Sequence, residues 1–342
     1  MALPTSAPIT LVDLATEYGD TAPHQLSEFY GEKSYAPTSG EIMLGGFLGG
    51  YDGAPVTINV TISSDVEAYN LYNEVSSQLG SGYNYINVTI DAGVTIGGYV
   101  IGGVQYPAFT ISGFNGYKDL ITITNNGLIL GGGGDGGDGA YSIDNGSGGG
   151  AVQTHTIATA GGEAIFATSL FSLVNNGTIA GGGGGGGGGR GLIIYAQDAV
   201  YGAVLLGGGG GGGGAGAISS TKSGTGFGGT AGANDPVAGT TVGGYTISSN
   251  ADGTDSSGIA VGTGGVRAGW NGYYSGNGGP GGAYGAAGIG GAGQTTPKNG
   301  AYNSAYVTGS GTAGASAGYW INGYGYLRSY SNNGTTYGNY LA

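Results

Sequence analysis

Nine consecutive glycines, Gly181 to Gly189, followed by seventeen mostly apolar residues and eight more glycines, Gly207 to Gly214, decide what this chain can fold into. Fixing a backbone costs roughly 1 to 2 kcal/mol per residue, so ordering one nine-residue run opposes folding by about 10 to 20 kcal/mol. Glycine has more freedom to lose than any other residue. With no side chains to bury, the return comes only from main-chain hydrogen bonds of about 0.5 to 1.5 kcal/mol each, from weak Cα–H···O contacts and from close packing. One run alone cannot meet that cost. Several can, if they lie side by side as extended helices with three residues per turn, whose outward amides bond to neighbouring helices. Nine residues at ~3.1 Å each make such a rod about 28 Å long.

A surrounded helix in this lattice has no room for a Cβ, so other residues are confined to outer faces. The stretches "GGGGDGGDGAY", "GFGGTAGAN" and "GGPGGAYGAAGIGGAG" suit peripheral helices, and the two pure runs suit central ones. A flexible linker would mix glycine with serine and carry no apolar return segment. Here "RGLIIYAQDAVYGAVLL" stands between the runs, fit to go out, turn at a tip and come back with its Ile and Leu residues buried. An ordered polyglycine-II lattice is the expectation.

The rest of the composition agrees. Glycine makes up 86 of 342 residues, but there is no Gly-X-Y period and only 9 prolines, which excludes collagen. Apolar residues at 39%, charged residues at 8% and 26 tyrosines make the remainder too apolar to stay solvated as a disordered chain. The net charge of −13 repels phosphate backbones, so nucleic acid is not an expected partner. There is no cysteine, hence no disulfide or thiolate metal site. The opening "MALPTSAPITLVDLATEYG" lacks a basic leader with an apolar core, so synthesis in a cytoplasm without a signal peptide is expected.

Residues 1–50 contain an internal echo, "PTSAPITL" from Pro4 and "PTSGEIML" from Pro37, and read as an attachment segment of short extended pieces around "HQLSEFYG". Residues 51–127 read as a β-rich neck with one helix. Val56, Ile58, Val60 and Ile62 alternate as one strand face, matched by Ile86, Val88 and Ile90. Ser64 and Glu67 stand at capping-box spacing, Leu71, Val75 and Leu79 follow at helical intervals, and Gly80 is placed to end the helix. The unit "ITITNNGLILGGGG" from Ile121 recurs as "FSLVNNGTIAGGGG" from Phe171, fifty residues later, expected as a strand pair joined by a tight Asn-Gly turn and feeding a glycine run, and residues 128–342 read as a glycine-rich polyglycine-II sandwich with receptor-binding loops and C-terminal strands. A third such turn, Asn332-Asn333-Gly334, sits near the C-terminus among closing strands.

Taken in order, "VTINVTISSDVEAYNLYNEV", "YINVTIDAGVTIGG", "TITNNGLILGGGG" and "LVNNGTIAGGGG" resemble the glycine-rich tail-fibre adhesins of bacteriophages, including the receptor-recognising tip proteins of T-even-type phages. The opening "APITLVDLATEYG" with "LSEFYG" is also similar to the first residues of many phage structural proteins. The resemblance implies a virion protein of the tail fibre: a sandwich of polyglycine-II helices whose loops bind a host surface receptor, an outer-membrane protein or a glycan. Its implied partners are that receptor and other tail or fibre proteins, with a homotrimer at the attachment end as one arrangement open to it.

Motifs for chemistry are weak. At this glycine frequency a GxGxxG match arises by chance, and no G-K-[ST] follows one. Gly133 to Tyr141 fits a single calcium nonapeptide, but stacking needs successive copies, so Asp135 and Asp138 are expected as solvated lattice-edge residues and no metal is assigned. His24 and His155 lack a Ser or Cys context for a triad. Hydrolysis of a surface polysaccharide would require a carboxylate pair, and none of the 20 acidic residues is marked by a motif. The expectation is a mainly β and polyglycine-II adhesin without enzyme activity or cofactor. A virion decoration protein and a depolymerase are the alternatives. Exposed aromatics and a few polar groups give contact area at low entropic cost, so Phe227, Asn234, Asp235, Arg267, Trp270, Tyr273, Tyr274 and Tyr284 are the receptor-binding candidates. Each ring could equally cover a lattice face. For virion attachment the candidates are Ile9, Leu11, Leu14, Leu26, Phe29, Tyr30, Ile42 and Leu44.

Overall fold

The structure, a computed structural model, describes residues 55–342 apart from 102, 117, 145–150, 155, 196–203, 207, 218–240, 243–244, 247, 257–259, 271–272, 293–303 and 307–310. The eight attachment candidates from Ile9 to Leu44 therefore lie outside the described residues.

Three parallel sheets of five strands each form the body. The first stacks Val56–Ile62, Asn84–Ile90, Asp119–Asn125, Phe171–Asn175 and Leu327–Asn332. The second stacks Val66–Glu67, Thr95–Gly97, Leu128–Leu130, Thr178–Ala180 and Thr335–Tyr337. The third stacks Tyr69–Asn70, Phe109–Ile111, Ile165–Ala167, Ile321–Asn322 and Tyr340–Leu341. Each turn of the chain visits the sheets in the same order, so the body is a three-sided parallel β-helix of five coils. Inward columns fill it: Ile58, Ile86, Ile121, Phe171 and Leu327 in the first sheet, and Val66, Ile96, Ile129, Ile179 and Thr336 in the second. The alternation read at residues 56–62 and 86–90 is thus one face of a sheet lining the core.

The Asn-Asn-Gly units do not make hairpins. Gly127 and Gly177 have no positive φ, and the strands on either side of each belong to different sheets. Each unit is a corner of the β-helix, and glycine is required because corners stack. A Cβ on Gly177 would overlap the carbonyl oxygen of Gly127, and one on Gly334 that of Gly177. The first asparagines form a buried ladder: Asn125 Nδ2 donates to Asn175 Oδ1 at 2.8 Å, and Asn175 Nδ2 donates to Asn332 Oδ1 at 2.9 Å. The second asparagines repeat the ladder on the exposed side, through Asn126, Asn176 and Asn333. Removing the centre of the buried ladder leaves desolvated amides unpaired, at about 1 to 3 kcal/mol each. Asn175→Ala is expected to lower unfolding free energy by about 2 to 4 kcal/mol in urea titrations, and Asn176→Ala by less than ~1 kcal/mol.

The helix is shorter than its spacing suggests. Val66–Glu67 is a strand, so Ser64 and Glu67 form no capping box. Ala68 turns the chain with φ 45°, and α1 (Leu71–Val75) begins after Asn70, whose side chain accepts the Asn73 N–H. A 3-10 turn, Ser76–Gln78, ends it before Gly80. The first coil must place rungs in the second and third sheets before the chain is free to coil. Leu71 and Val75 are fully buried as their spacing required.

The glycine-rich segments leave the β-helix between the second and third sheets, in the third and fourth coils. Among the described residues they are nine: 131–140, 156–162, 181–190, 208–217, 248–256, 260–268, 275–283, 286–292 and 311–319. Their hydrogen bonds recur every third residue. Along 181–190, Gly182 and Gly185 donate to Gly162 and Thr159; Gly183, Gly186 and Gly189 donate to Ala215, Gly212 and Gly209; Gly184, Gly187 and Arg190 donate to Ala286, Ile289 and Ala292. Three further segments donate back: Gly134, Gly137 and Ala140 to residues 183, 186 and 189; Gly282, Gly279 and Gly276 to 184, 187 and 190; Gly318, Ala315 and Thr312 to 182, 185 and 188. With the Gly188 N–H donating to Thr312 Oγ1, every amide from 182 to 190 is satisfied. The nine-glycine run is ringed by six segments, and a Cβ at any of its positions would overlap a backbone carbonyl oxygen of a neighbour.

The expected boundary at 127/128 falls at a corner of the third coil, between Asp119–Asn125 and Leu128–Leu130, and the sheets run across it. The closing strands after Trp320 complete the fourth coil and supply the fifth. At the junction of rod and coil, Asn322 Nδ2 donates to Glu163 Oε1 at 2.6 Å, while burial raises the Glu163 pKa. A carboxyl whose folded pKa is raised loses stability as pH climbs from its unfolded value through its folded value. Glu163→Gln, which keeps the acceptor oxygen, is expected to raise Tm at pH 7 and to leave it unchanged at pH 3, where both states are protonated.

Candidate functional site

The glycine rods have a near end, at the β-helix, and a far end. At the near end Gly181 donates to Tyr337 O in the last coil, and Gly131 to Ala180 O. At the far end six rods are tied together: Ala140 donates to Gly189, Gly189 to Gly209, Gly209 to Gly276, Gly276 to Arg190, Arg190 to Ala292 and Thr312 to Gly188. Among the described residues, nine pieces of strand lie at this end. Tyr141–Asp144 pairs with Ala151–Thr154, and Leu192–Tyr195 pairs with both Val204–Leu206 and Ser304–Tyr306. Gly269–Trp270 pairs with Tyr273–Tyr274. The hairpin Thr241–Val242 with Tyr245–Thr246 joins the same end. Ser248 donates to Gly269 O, and Asn250 Nδ2 to Gly208 O.

Leu192 and Leu206, on the paired strands next to the rods, are fully buried, while residues 196–203 of "RGLIIYAQDAVYGAVLL" lie outside the described residues. Ala268 and Ser275 close the base of the 269–274 hairpin, through the Ala268 N–H to Ser275 Oγ at 2.9 Å and the Ser275 N–H to Ala268 O at 3.0 Å. Above them Tyr273 is buried at 4% exposure and Tyr274 stands 37% exposed. The Arg267 guanidinium lies 4.3 Å from the centre of the Tyr274 ring, a cation–π contact, and the Arg267 N–H donates to Asn277 Oδ1. Val266 beside it is 57% exposed.

The structure therefore brings four of the receptor-binding candidates, Arg267, Trp270, Tyr273 and Tyr274, onto one hairpin at the far end. Phe227, Asn234 and Asp235 lie outside the described residues. Tyr284 belongs elsewhere. It sits at the near end, in the turn between rods 275–283 and 286–292, packed against Leu130, Ala180 and Ala217. A rod returning to the β-helix must reverse there, Gly285 supplies the positive φ of 67°, and the ring fills the junction. Burial pushes the Tyr284 phenol up to about 12.

Arg190 was not singled out in the sequence, though it is the first side chain after nine glycines. The central rod ends there, with its N–H donating to Ala292 O at 3.4 Å and its carbonyl accepting from Gly276 at 2.7 Å, so the main chain of a cationic residue is held at the middle of the far end. Desolvation lowers the pKa of its guanidinium. Asp135 and Asp138 lie along the lattice edge. Their backbone N–H groups donate to Thr159 Oγ1 and Thr156 Oγ1, and the Asp138 carboxylate accepts from Thr156 Oγ1 at 2.7 Å. Among the described residues no three His, Cys, Asp or Glu side chains are grouped to hold a metal ion, and no helix is long and apolar enough to cross a membrane.

The rods are thus held together by main-chain hydrogen bonds and end in several short strand pairs, one of which carries the Arg267–Tyr274 contact. The family model for the phage tail fibre adhesin Gp38 matches residues 57–341, and the chain belongs to that family. It is a structural protein of the virion tail fibre that attaches the particle to a host receptor. No curated protein and no solved structure matches it.

Proposed function

We propose that the far end of the glycine rods is the receptor-recognising tip, and that the rods form a polyglycine-II sandwich whose task is to hold it rigid. The supporting observation is the segregation of the chain. The hairpins at 141–154, 192–206, 241–246 and 269–274 leave one end of the rods, while the other end is taken by the β-helix. Rigidity lowers the entropy lost when loops engage a partner. Arg267, Trp270 and Tyr274 are the proposed contact residues, with buried Tyr273 packed beneath them, joined by Arg190 and, from outside the described residues, by Phe227, Asn234 and Asp235. The receptor is an outer-membrane protein or a glycan, bound through shape and aromatic contact without chemical change.

Residues 1–50 join the chain to other fibre proteins, with a homotrimer at that end, and the β-helix, to which residues 51–127 contribute the first coils, serves as the neck. The test is competition. Purified full-length protein is expected to block infection of the phage's host, and replacing residues 269–274 by an unrelated six-residue hairpin is expected to abolish the block with Tm unchanged. An exchanged hairpin that still blocks infection contradicts the assignment of the tip.

A further inference from the structure

Alternate side chains of the first sheet point away from the core, and its parallel register stacks them in columns. One column is Asn59, Asn87, Thr122, Ser172 and Ser329. The next is Thr61, Thr89, Thr124, Val174 and Ser331. Tyr85, on the strand of Asn87, stands on the same face at 40% exposure. We propose that this outer face is a second binding site, for a neutral polysaccharide of the host surface lying across the strands, along the β-helix axis. The site is remote from the proposed tip and does not rest on that reading.

The chemistry of the columns selects the ligand. In a chain with a net charge of −13, neither column holds an ionisable side chain, so an anionic polymer finds no counter-charge in them. Arg328, left without a partner where the last strand bulges, donates to the Gly116 carbonyl at the margin of the face. Among the described residues the threonine and serine hydroxyls of both columns have no hydrogen-bond partner. Each can donate once and accept twice, the same capacity that every hydroxyl of a neutral sugar offers in return. A protein partner is a poorer match. Protein interfaces draw on aromatic, Met and Arg side chains at their centre and are depleted in serine, whereas these columns contain one apolar side chain, Val174.

Geometry supports the same occupant. Neighbouring strands are ~4.8 Å apart and neighbouring columns ~6.7 Å, so along the axis the face offers a hydroxyl or amide about once per hexose of an extended chain. The grid is held in place before any ligand arrives. Asn87 Nδ2 donates to Asn59 Oδ1 at 3.0 Å, and the exposed ladder of Asn126, Asn176 and Asn333 borders the second column. Short side chains fixed in this way lose little entropy on binding. Tyr85 adds a ring face, on which the apolar side of a pyranose can stack.

The test titrates the full-length protein, by saturation-transfer NMR, with size-graded fragments of the neutral polysaccharide released from the host envelope. Five strands span about 19 Å, so affinity is expected to rise with fragment length and to level off at about four to five sugars. The double variant Thr122→Val with Thr124→Val removes two hydroxyls without changing side-chain shape. It and Tyr85→Ala are each expected to weaken binding at least ~10-fold with the circular dichroism spectrum unchanged. Exchange of the hairpin at 269–274 is expected to leave this binding intact, which separates the site from the tip. If no neutral fragment binds at millimolar concentration, if only acidic fragments bind, or if the valine pair keeps the parent affinity, the inference is overturned. Self-association that the valine pair abolishes, without sugar binding, would give the face to a second copy of the chain and overturn it equally.

Discussion

Gly185→Ala is expected to lower stability by at least ~3 kcal/mol, and Gly290→Ala by less than ~0.5 kcal/mol, although both add one methyl group to a glycine-rich rod. At Gly185 three rods converge: its N–H donates to Thr159 O, its carbonyl accepts from Ala315, and a new Cβ would overlap the carbonyl oxygen of Asp135. None of these neighbours is a flexible side chain able to turn aside, so relief requires moving a rod and breaking its bonds on both sides. Gly290 lies on an outer face, where the nearest atom to an added Cβ is Thr312 O at 3.4 Å. For a chain of this size 3 kcal/mol corresponds to a fall in Tm of roughly 4 °C. Thermal unfolding of both variants by circular dichroism decides it. Equal and small effects would mean the rods are not tightly surrounded.

Arg190→Glu is expected to weaken binding to host cells by about 30-fold or more, the effect of losing one centrally placed contact of at least ~2 kcal/mol, with Tm within two or three degrees of the parent. The side chain stands at the end of the ringed rod, and a guanidinium is suited to planar, bidentate contact with a partner. The lattice bonds at this position are made by its main chain, which the substitution keeps, hence the separation of binding from stability. Tyr284→Ala supplies the reverse case. Its ring packs at the near end against Leu130, Ala180 and Ala217, so truncation is expected to cost about 3 kcal/mol of stability and to leave binding by the folded fraction unchanged. Surface plasmon resonance on immobilised host envelope, paired with thermal melts, reads both. Loss of binding in Tyr284→Ala with retained binding in Arg190→Glu would place the recognition surface at the wrong end.

The lattice was legible because glycine leaves so few alternatives. Nine consecutive residues without Cβ cannot be ordered except by their own main chain, and the side chains interrupting other runs mark the outer faces. The alternation at 56–62 and 86–90 was legible too, since one buried face with period two is a strand whichever sheet it joins. What the strands paired with was not. Asn-Gly suggested hairpins because its usual role is a positive-φ turn; here the glycine answers to the corner stacked beneath it, a neighbour fifty or more residues away. The same distance hid the fate of Tyr324, Tyr330 and Tyr340, which join Trp320 in capping the last coil. At the far end, Arg267, Trp270, Tyr273 and Tyr274 stand together because they are close in sequence between two glycine blocks. The separation of Tyr284 from them depends on which way each rod runs, and rod direction is fixed by hydrogen-bond register, which leaves no mark on composition.

Amide hydrogen exchange across Gly181 to Gly189 in the intact protein tests the central claim most directly. Each of the amides from 182 to 189 donates within the lattice, so exchange is expected to be slowed by several orders of magnitude and to be lost together on unfolding. Exchange at the rate of a free glycine peptide, with the β-helix still protected, would show that the rods do not exist as a lattice and that nothing rigid holds the tip.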